Sequence, residues 1–281
     1  MFSIIIPTFN NFHYLKICLE SLKKNSCLQN EIIIHVNEGG DQSLEYIKNN
    51  NYIHTYSEEK LGVCSSVNIA TKLSAKNYII FAHDDMYFLP YWDDILKGEI
   101  DKLNNNLFYL SGTLIEQFGG HIPYNCGDDY QNFNEDKLLQ NYQNINFYDH
   151  QGTHWAPHVI HKTLWNKIGG LSEEFDPGFG SDPDLNMKLW KEGVRLFKGV
   201  NAFKVYHFGS ITLRKKKDFI ANKGSRTFLK KWGITVNFFK KYYLKTGQQF
   251  KGPLQEPSKN IFYYFDLLVC KLKLIMLFFQ K

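Results

Sequence analysis

The stretch Tyr78-Ile79-Ile80-Phe81-Ala82-His83-Asp84-Asp85-Met86 constrains this chain most, because a short apolar run stops at two adjacent carboxylates. A continuous run of that length predicts a strand buried on both faces, as in parallel sheets. In an open α/β sheet, ligands bind just beyond the carboxyl ends of the strands. Two acids placed there repel each other unless a cation sits between them. A hard divalent cation, Mn²⁺ or Mg²⁺, suits such carboxylates, with phosphate oxygens completing its shell. The plainer alternative is that Asp84 and Asp85 cap the next helix or solvate a loop.

The flanking segments repeat the pattern. Residues 2–6 read as a strand closed by Pro7, followed by a loop from Thr8 to Asn11. Tyr14, Leu15, Cys18, Leu19 and Leu22 recur at helical spacing. Residues 31–36 predict a second strand ending at Asn37-Glu38-Gly39-Gly40, residues 41–49 a helix, and 52–56 a third strand. A further helix opens at Leu61-Gly62. This alternation predicts a βαβ sheet with right-handed crossovers. Each strand end carries small or polar residues, namely Thr8 and Asn10, Asn37 and Glu38, and Asp84 and Asp85. A binding crevice at the carboxyl edge accounts for that recurrence. Neither a Gly-x-Gly-x-x-Gly after the first strand nor a Gly-x4-Gly-Lys-Ser/Thr anywhere is found, which argues against a dinucleotide-binding enzyme and a P-loop NTPase.

Residues 107–114 predict another strand, and 117–155 read as irregular. His154, His158 and His161 lack an established zinc-ligand spacing and read as hydrogen-bonded structural histidines. Trp155 suits either a sugar ring or the core. Asp182-Pro183 reads as an N-cap and first helical residue, with Gly193 placed for the C-terminal turn. Residues 204–210 predict a last strand carrying His207.

The five cysteines (18, 27, 64, 126 and 270) are scattered and form no Cys-x-x-Cys pair, so a reducing interior is expected. The strand pattern beginning at Phe2 leaves no room for a signal peptide, and no window holds 18 uninterrupted apolar residues. A cytoplasmic protein is expected, in solution or peripheral at the inner face of the membrane. Within the net charge of +5, residues 214–245 carry eleven Lys or Arg against one acid, Asp218. That block suits a diphosphate, an anionic membrane or nucleic acid, or simply a solvated helical face. The final segment, from about 260, has an apolar helical face interrupted by Lys271 and Lys273. An interfacial helix and packing on the main domain both fit it.

Together, Ile4-Ile5-Ile6-Pro7-Thr8-Phe9-Asn10, Val36-Asn37-Glu38-Gly39, Leu61-Gly62 with Asn68, and Phe81-Ala82-His83-Asp84-Asp85 resemble the inverting glycosyltransferases of family 2. The match continues through Trp165 to Gly169-Gly170-Leu171-Ser172-Glu173-Glu174-Phe175-Asp176 and through Gly180-Ser181-Asp182-Pro183-Asp184 to Gly193. The resemblance covers residues 2 to about 210. It implies a GT-A fold, that is, an α/β, Rossmann-like and mostly parallel sheet flanked by helices. Residues 1–210 would form the catalytic domain and 211–281 a basic, helical C-terminal extension. It further implies hexosyl transfer from a nucleoside-diphosphate sugar donor to a hydroxyl of a glycan or lipid-linked acceptor, with no nucleic-acid partner.

By the same resemblance, Asp85 and His207 would hold the divalent metal, Asp84 the ribose or a metal-bound water, and Asp182 would be the general base. Pro7, Thr8, Asn10 and Glu38 would lie on the nucleoside side. Three positions depart from the family pattern. Glu38-Gly39 stands for Asp-Gly, Ser181 replaces a Glu, and Val67-Asn68 stands for Arg-Asn. Lys60 or the run Arg214 to Lys217 is the substitute for the missing Arg. The alternatives from other classes are a non-catalytic glycan- or nucleotide-binding relative and a nucleic-acid-binding protein using the basic block.

Overall fold

In a computed structural model of the chain, residues 1–209 and 222–279 are described. The run Arg214 to Lys217 and Asp218 therefore lie outside the described residues. Strands β1 (Phe2–Phe9), β2 (Glu31–Asn37), β3 (Ile53–Ser57), β4 (Tyr78–Phe81) and β5 (Met86–Phe88) alternate with helices α1 (Phe12–Lys24), α2 (Ser43–Asn49) and α3 (Val63–Thr71). Helix α4 (Trp92–Asp101), β6 (Phe108–Glu116), β7 (Ile122–Pro123), α5 (Glu135–Asn141), β8 (His150–Gln151) and β9 (His158–His161) follow. Then come α6 (Lys162–Ile168), α7 (Ser181–Lys191) and β10 (Leu196–His207).

These ten strands of the described residues join one sheet whose main path runs β3-β2-β1-β4-β9-β6-β10-β5. Its β3-β2-β1-β4 half is parallel, as the apolar centres of β1, β2 and β4 lead one to expect. Phe2, Ile4, Ile5 and Ile6 are fully buried in its middle, in one core with Leu15, Cys18 and Leu19 of α1 and Cys64, Val67 and Ala70 of α3. Strand β1 does not close at Pro7 but continues to Phe9. Opposite Pro7 only β2 still pairs, because β4 stops against Ile5, so the missing N–H is tolerated. Strand β9 was not anticipated. It enters antiparallel between β4 and β6, where His158 faces both Phe81 and Ser111.

The region expected to be irregular, 117–155, is folded. Helix α5 is capped by Asn134, whose side chain accepts from Lys137 N at 2.9 Å. Ile122, Cys126 and Leu138 pack with Tyr14, Tyr206 and Phe208 in a second small core. Tyr14 OH donates to Asp129 Oδ2 at 3.0 Å, which closes this segment over α1.

Two acids hold the edges of the site in place. Asp176 accepts from Cys64 N at 2.8 Å and from Ser65 Oγ at 2.5 Å, satisfying the N-terminus of α3 from more than a hundred residues away. Gly62 is required beside it, since any Cβ there would overlap the Asp176 carboxylate. Asp184, fully buried, accepts from Ser172 Oγ at 2.6 Å and Trp232 Nε1 at 2.8 Å and pairs with Lys231 Nζ at 3.0 Å. That network fastens the helix Asn222–Trp232 to α7. Asp184→Ala strands the Trp232 N–H and leaves Lys231 with Glu174 as its carboxylate partner, at 2.6 Å, and Ser172 Oγ, at 2.9 Å. A loss of about 3–5 kcal/mol is expected in urea unfolding; a loss below 1 kcal/mol would contradict the network.

Candidate active site

Strand register builds the centre of the site. Met86, the first residue of β5, pairs with His207, the last residue of β10, so Asp85 lies beside the histidine. Phe208 N donates to Asp85 O at 3.1 Å and locks this junction. On the other side of β10, Tyr206 pairs with Ile115, which brings Glu116 at the end of β6 to the same ring. Asp85 Oδ1 lies 3.2 Å from His207 Nε2, and Glu116 Oε1 lies 2.6 Å from His207 Nδ1. The Asp85 and His207 side chains are only 6% and 7% exposed. Burial opposes a charged imidazole here, but the two carboxylates outweigh it and push His207 up to about 10.

His83 completes the group. One ligand atom each of His83, Asp85 and His207 lie within 4.8 Å of one another. Burial pulls His83 down to about 4, so its ring is neutral at pH 7 and free to donate a lone pair. His207 Nε2 is buried without a well-aligned hydrogen bond, although Asp85 is close. A carboxylate with two imidazole nitrogens can hold a divalent cation, which would take the place of the proton on His207. His207 thus lies next to Asp85. His83 and Glu116 were missed; their signals were a histidine adjoining the acid pair and an acid at the end of a strand.

Asp84 points toward β1 instead. It accepts from Thr8 Oγ1 at 2.6 Å and from Asn11 Nδ2 at 3.1 Å. Burial, with Asp85 beside it, raises Asp84 to about 7 despite those bonds. Thr8 is buried, whereas Asn10 and Glu38 are exposed on adjacent loops, both with left-handed backbone. Asn10 Oδ1 accepts from Gly40 N at 2.9 Å, which ties the two loops together. Lys60 extends across the same edge, its Nζ 3.3 Å from the centre of the Phe9 ring. Asn68 serves the scaffold, donating to Leu171 O at 2.8 Å and accepting from Leu171 N at 2.9 Å.

Asp182 is not the N-cap. Helix α7 already begins at Ser181, with Gly180 at the cap in a left-handed conformation (φ 87°) that favours glycine. The Asp182 side chain is therefore released from capping, and its Oδ1 has no hydrogen-bond partner. Proximity to the helix N-terminus would lower its pKa. Burial wins, and the carboxyl is raised to about 7. Gly193 takes the expected left-handed conformation after α7.

The other histidines divide. His161 is hydrogen-bonded, with Nδ1 2.7 Å from Thr163 Oγ1, and it caps α6. His158 is not; neither ring nitrogen has a partner, and its ring lies against Tyr109 and Phe81. Trp155 is 39% exposed beside His121 and His154.

A family model described as Glycosyl transferase family 2 matches residues 3–163, more than half of the chain. The chain belongs to glycosyl transferase family 2. Among curated relatives, this family 2 chain is 27% identical over 197 residues to the glycosyltransferase RP339 of Rickettsia prowazekii. It is 28% identical over 194 residues to RT0329 of Rickettsia typhi. Those alignments cover 67% and 66% of the chain and 58% of each relative, so it spans little more than half their length. Among solved structures, S. aureus TarS 1–349 in complex with UDP-GlcNAc aligns with TM-score 0.57 and 16% identity, over 85% of this chain and 66% of that one. GalNAc-T7 with UDP, GalNAc and Mn²⁺ aligns with TM-score 0.57 and 16% identity, over 74% and 43%. The GT-A fold is shared with both.

Proposed function

We propose that this family 2 chain is an inverting, metal-dependent glycosyltransferase that moves a hexosyl group from a nucleoside-diphosphate sugar to a hydroxyl of a glycan or lipid-linked acceptor. The convergence of His83, Asp85 and His207 at one sheet edge carries the reading. TarS with UDP-GlcNAc and GalNAc-T7 with UDP and Mn²⁺ make a uridine donor and Mn²⁺ the first pair to test.

Asp85, His207 and His83 would hold the divalent cation, which when bound offsets negative charge on a diphosphate leaving group. Asp84, kept in place by Thr8 and Asn11, would accept from the ribose or from a water at the cation. Pro7, Asn10, Glu38 and Lys60 would border the nucleoside. Asp182 would accept the acceptor hydroxyl proton as that oxygen bonds to the anomeric carbon. The bond from that carbon to the diphosphate oxygen breaks in the same displacement, and the nucleoside diphosphate leaves with the electron pair. A carboxyl near pKa 7 and without a competing hydrogen bond at Oδ1 suits a base working at neutral pH.

The test is thermal unfolding with UDP, GDP, dTDP or CMP, each with Mn²⁺ or with EDTA. At ~100 times its dissociation constant, one nucleotide should add about 2.7 kcal/mol, and only with metal. Asp85→Ala should remove that shift. Stabilisation that ignores metal, or that survives Asp85→Ala, would refute the assignment. So would the absence of sugar transfer from any donor.

A further inference from the structure

The helix Ile261–Phe279 has two unlike faces. One is packed: Tyr263 and Cys270 are buried, and the Tyr263 ring meets Phe238 at 5.0 Å and Tyr242 at 5.1 Å. Thr235 N donates to Cys270 Sγ at 3.4 Å. Asp266, the helix's single acid, also turns inward, to Lys241 Nζ and Tyr242 OH at 2.7 Å each.

The opposite face is bare. At about 100° per residue, Phe265, Leu268, Leu272, Ile275, Met276 and Phe279 share an outward sector of about 100°. All six are more than half exposed, from 52% at Leu272 to 84% at Phe279. A contiguous apolar patch of this kind marks a binding surface rather than ordinary surface scatter. On the same helical wheel, Lys271 and Lys273 fall on opposite borders of the sector. Both are exposed, and neither forms an ion pair with a described residue.

We propose that this face lies in the surface of an anionic lipid bilayer, with the helix parallel to the membrane plane. Apolar side chains would enter the acyl boundary while the two lysines, one on each side, reach the headgroups with their stems along the apolar surface. No helix among the described residues is long and apolar enough to cross a membrane, which agrees with an in-plane placement. Charge selects the partner. The outward face displays no acid, and its two borders carry the exposed Lys271 and Lys273. A second copy would set these lysines against themselves, whereas an anionic leaflet complements them.

The test is co-sedimentation of the chain with vesicles of phosphatidylcholine alone, or of an equimolar mixture with phosphatidylglycerol. At least tenfold stronger partitioning onto the anionic vesicles is expected. Each of Lys271→Gln and Lys273→Gln should lower it roughly fivefold. Leu268→Glu/Leu272→Glu should abolish it while leaving the urea midpoint of the free chain unchanged, since both side chains are more than half exposed. Equal partitioning onto both vesicle types, or onto neither, would overturn the proposal. So would a dimer in solution that the same double substitution dissociates, which would assign the face to self-association. Sugar transfer is not part of the readout, so the result is independent of the catalytic assignment.

Discussion

Asp182→Asn is expected to lower sugar transfer by roughly 10²–10⁴-fold, the range for loss of a positioned base, while making the protein more stable at neutral pH. Both effects come from one carboxyl held in a partly buried place without a hydrogen bond at Oδ1. Burial raises it to about 7, against roughly 3.9 in an unfolded chain. Between those values the unfolded chain has released a proton that the folded chain keeps. Wild-type stability therefore falls as pH rises from about 4 to about 7. An asparagine lacks that dependence, so the two proteins should match near pH 4 and separate above it. The gap at pH 8 should be on the order of 1–3 kcal/mol, discounted for partial exposure. Urea unfolding across this range, with turnover measured in parallel, checks both. Wild-type turnover should rise with pH through about 7 as the base ionises. A variant that keeps its turnover would remove Asp182 from the base role. One that loses turnover with no stability gain would contradict the raised pKa.

His207→Ala is expected to cost about 3–5 kcal/mol in the metal-free protein. Asp85 and Glu116 approach the ring from opposite sides at 3.2 and 2.6 Å, in a setting nearly closed to water. Removing the imidazole takes away the positive charge that lies between these two buried carboxylates. The measurement is the urea midpoint in EDTA. His207→Gln, which can still donate to one acid, should lose less. Mn²⁺ should recover part of the loss in His207→Ala, because it supplies positive charge beside Asp85. A midpoint indistinguishable from wild type would show that the three strand ends do not converge.

Much of this was legible in the order of residues. The mainly apolar runs at 2–6, 31–36 and 78–81 pointed to a sheet buried on both faces, and the amphipathic spacing between them to covering helices. The acids after β4 marked the edge that matters. These are local properties, set by periodicity 2 or 3.6 and by which residues end a run. Asp182 was identifiable through its motif, but its state was not. Sequence made it a cap, whereas the structure starts α7 one residue earlier and leaves the carboxyl unpartnered at Oδ1. The fold of 117–155 was hidden because its short elements bury their apolar residues against Tyr14 and Tyr206, far away in sequence.

The residue order by itself therefore determined the GT-A class and set Asp84 and Asp85 just beyond the end of a strand. Tertiary structure decided what those acids touch. It put β9 between β4 and β6, matched Met86 to His207 and Ile115 to Tyr206, and so closed Glu116, His207, Asp85 and His83 into one group. It also turned one face of the last helix inward and left the other bare. Strand register and helix docking are settled by contacts between separate segments of the chain, and no local pattern encodes them.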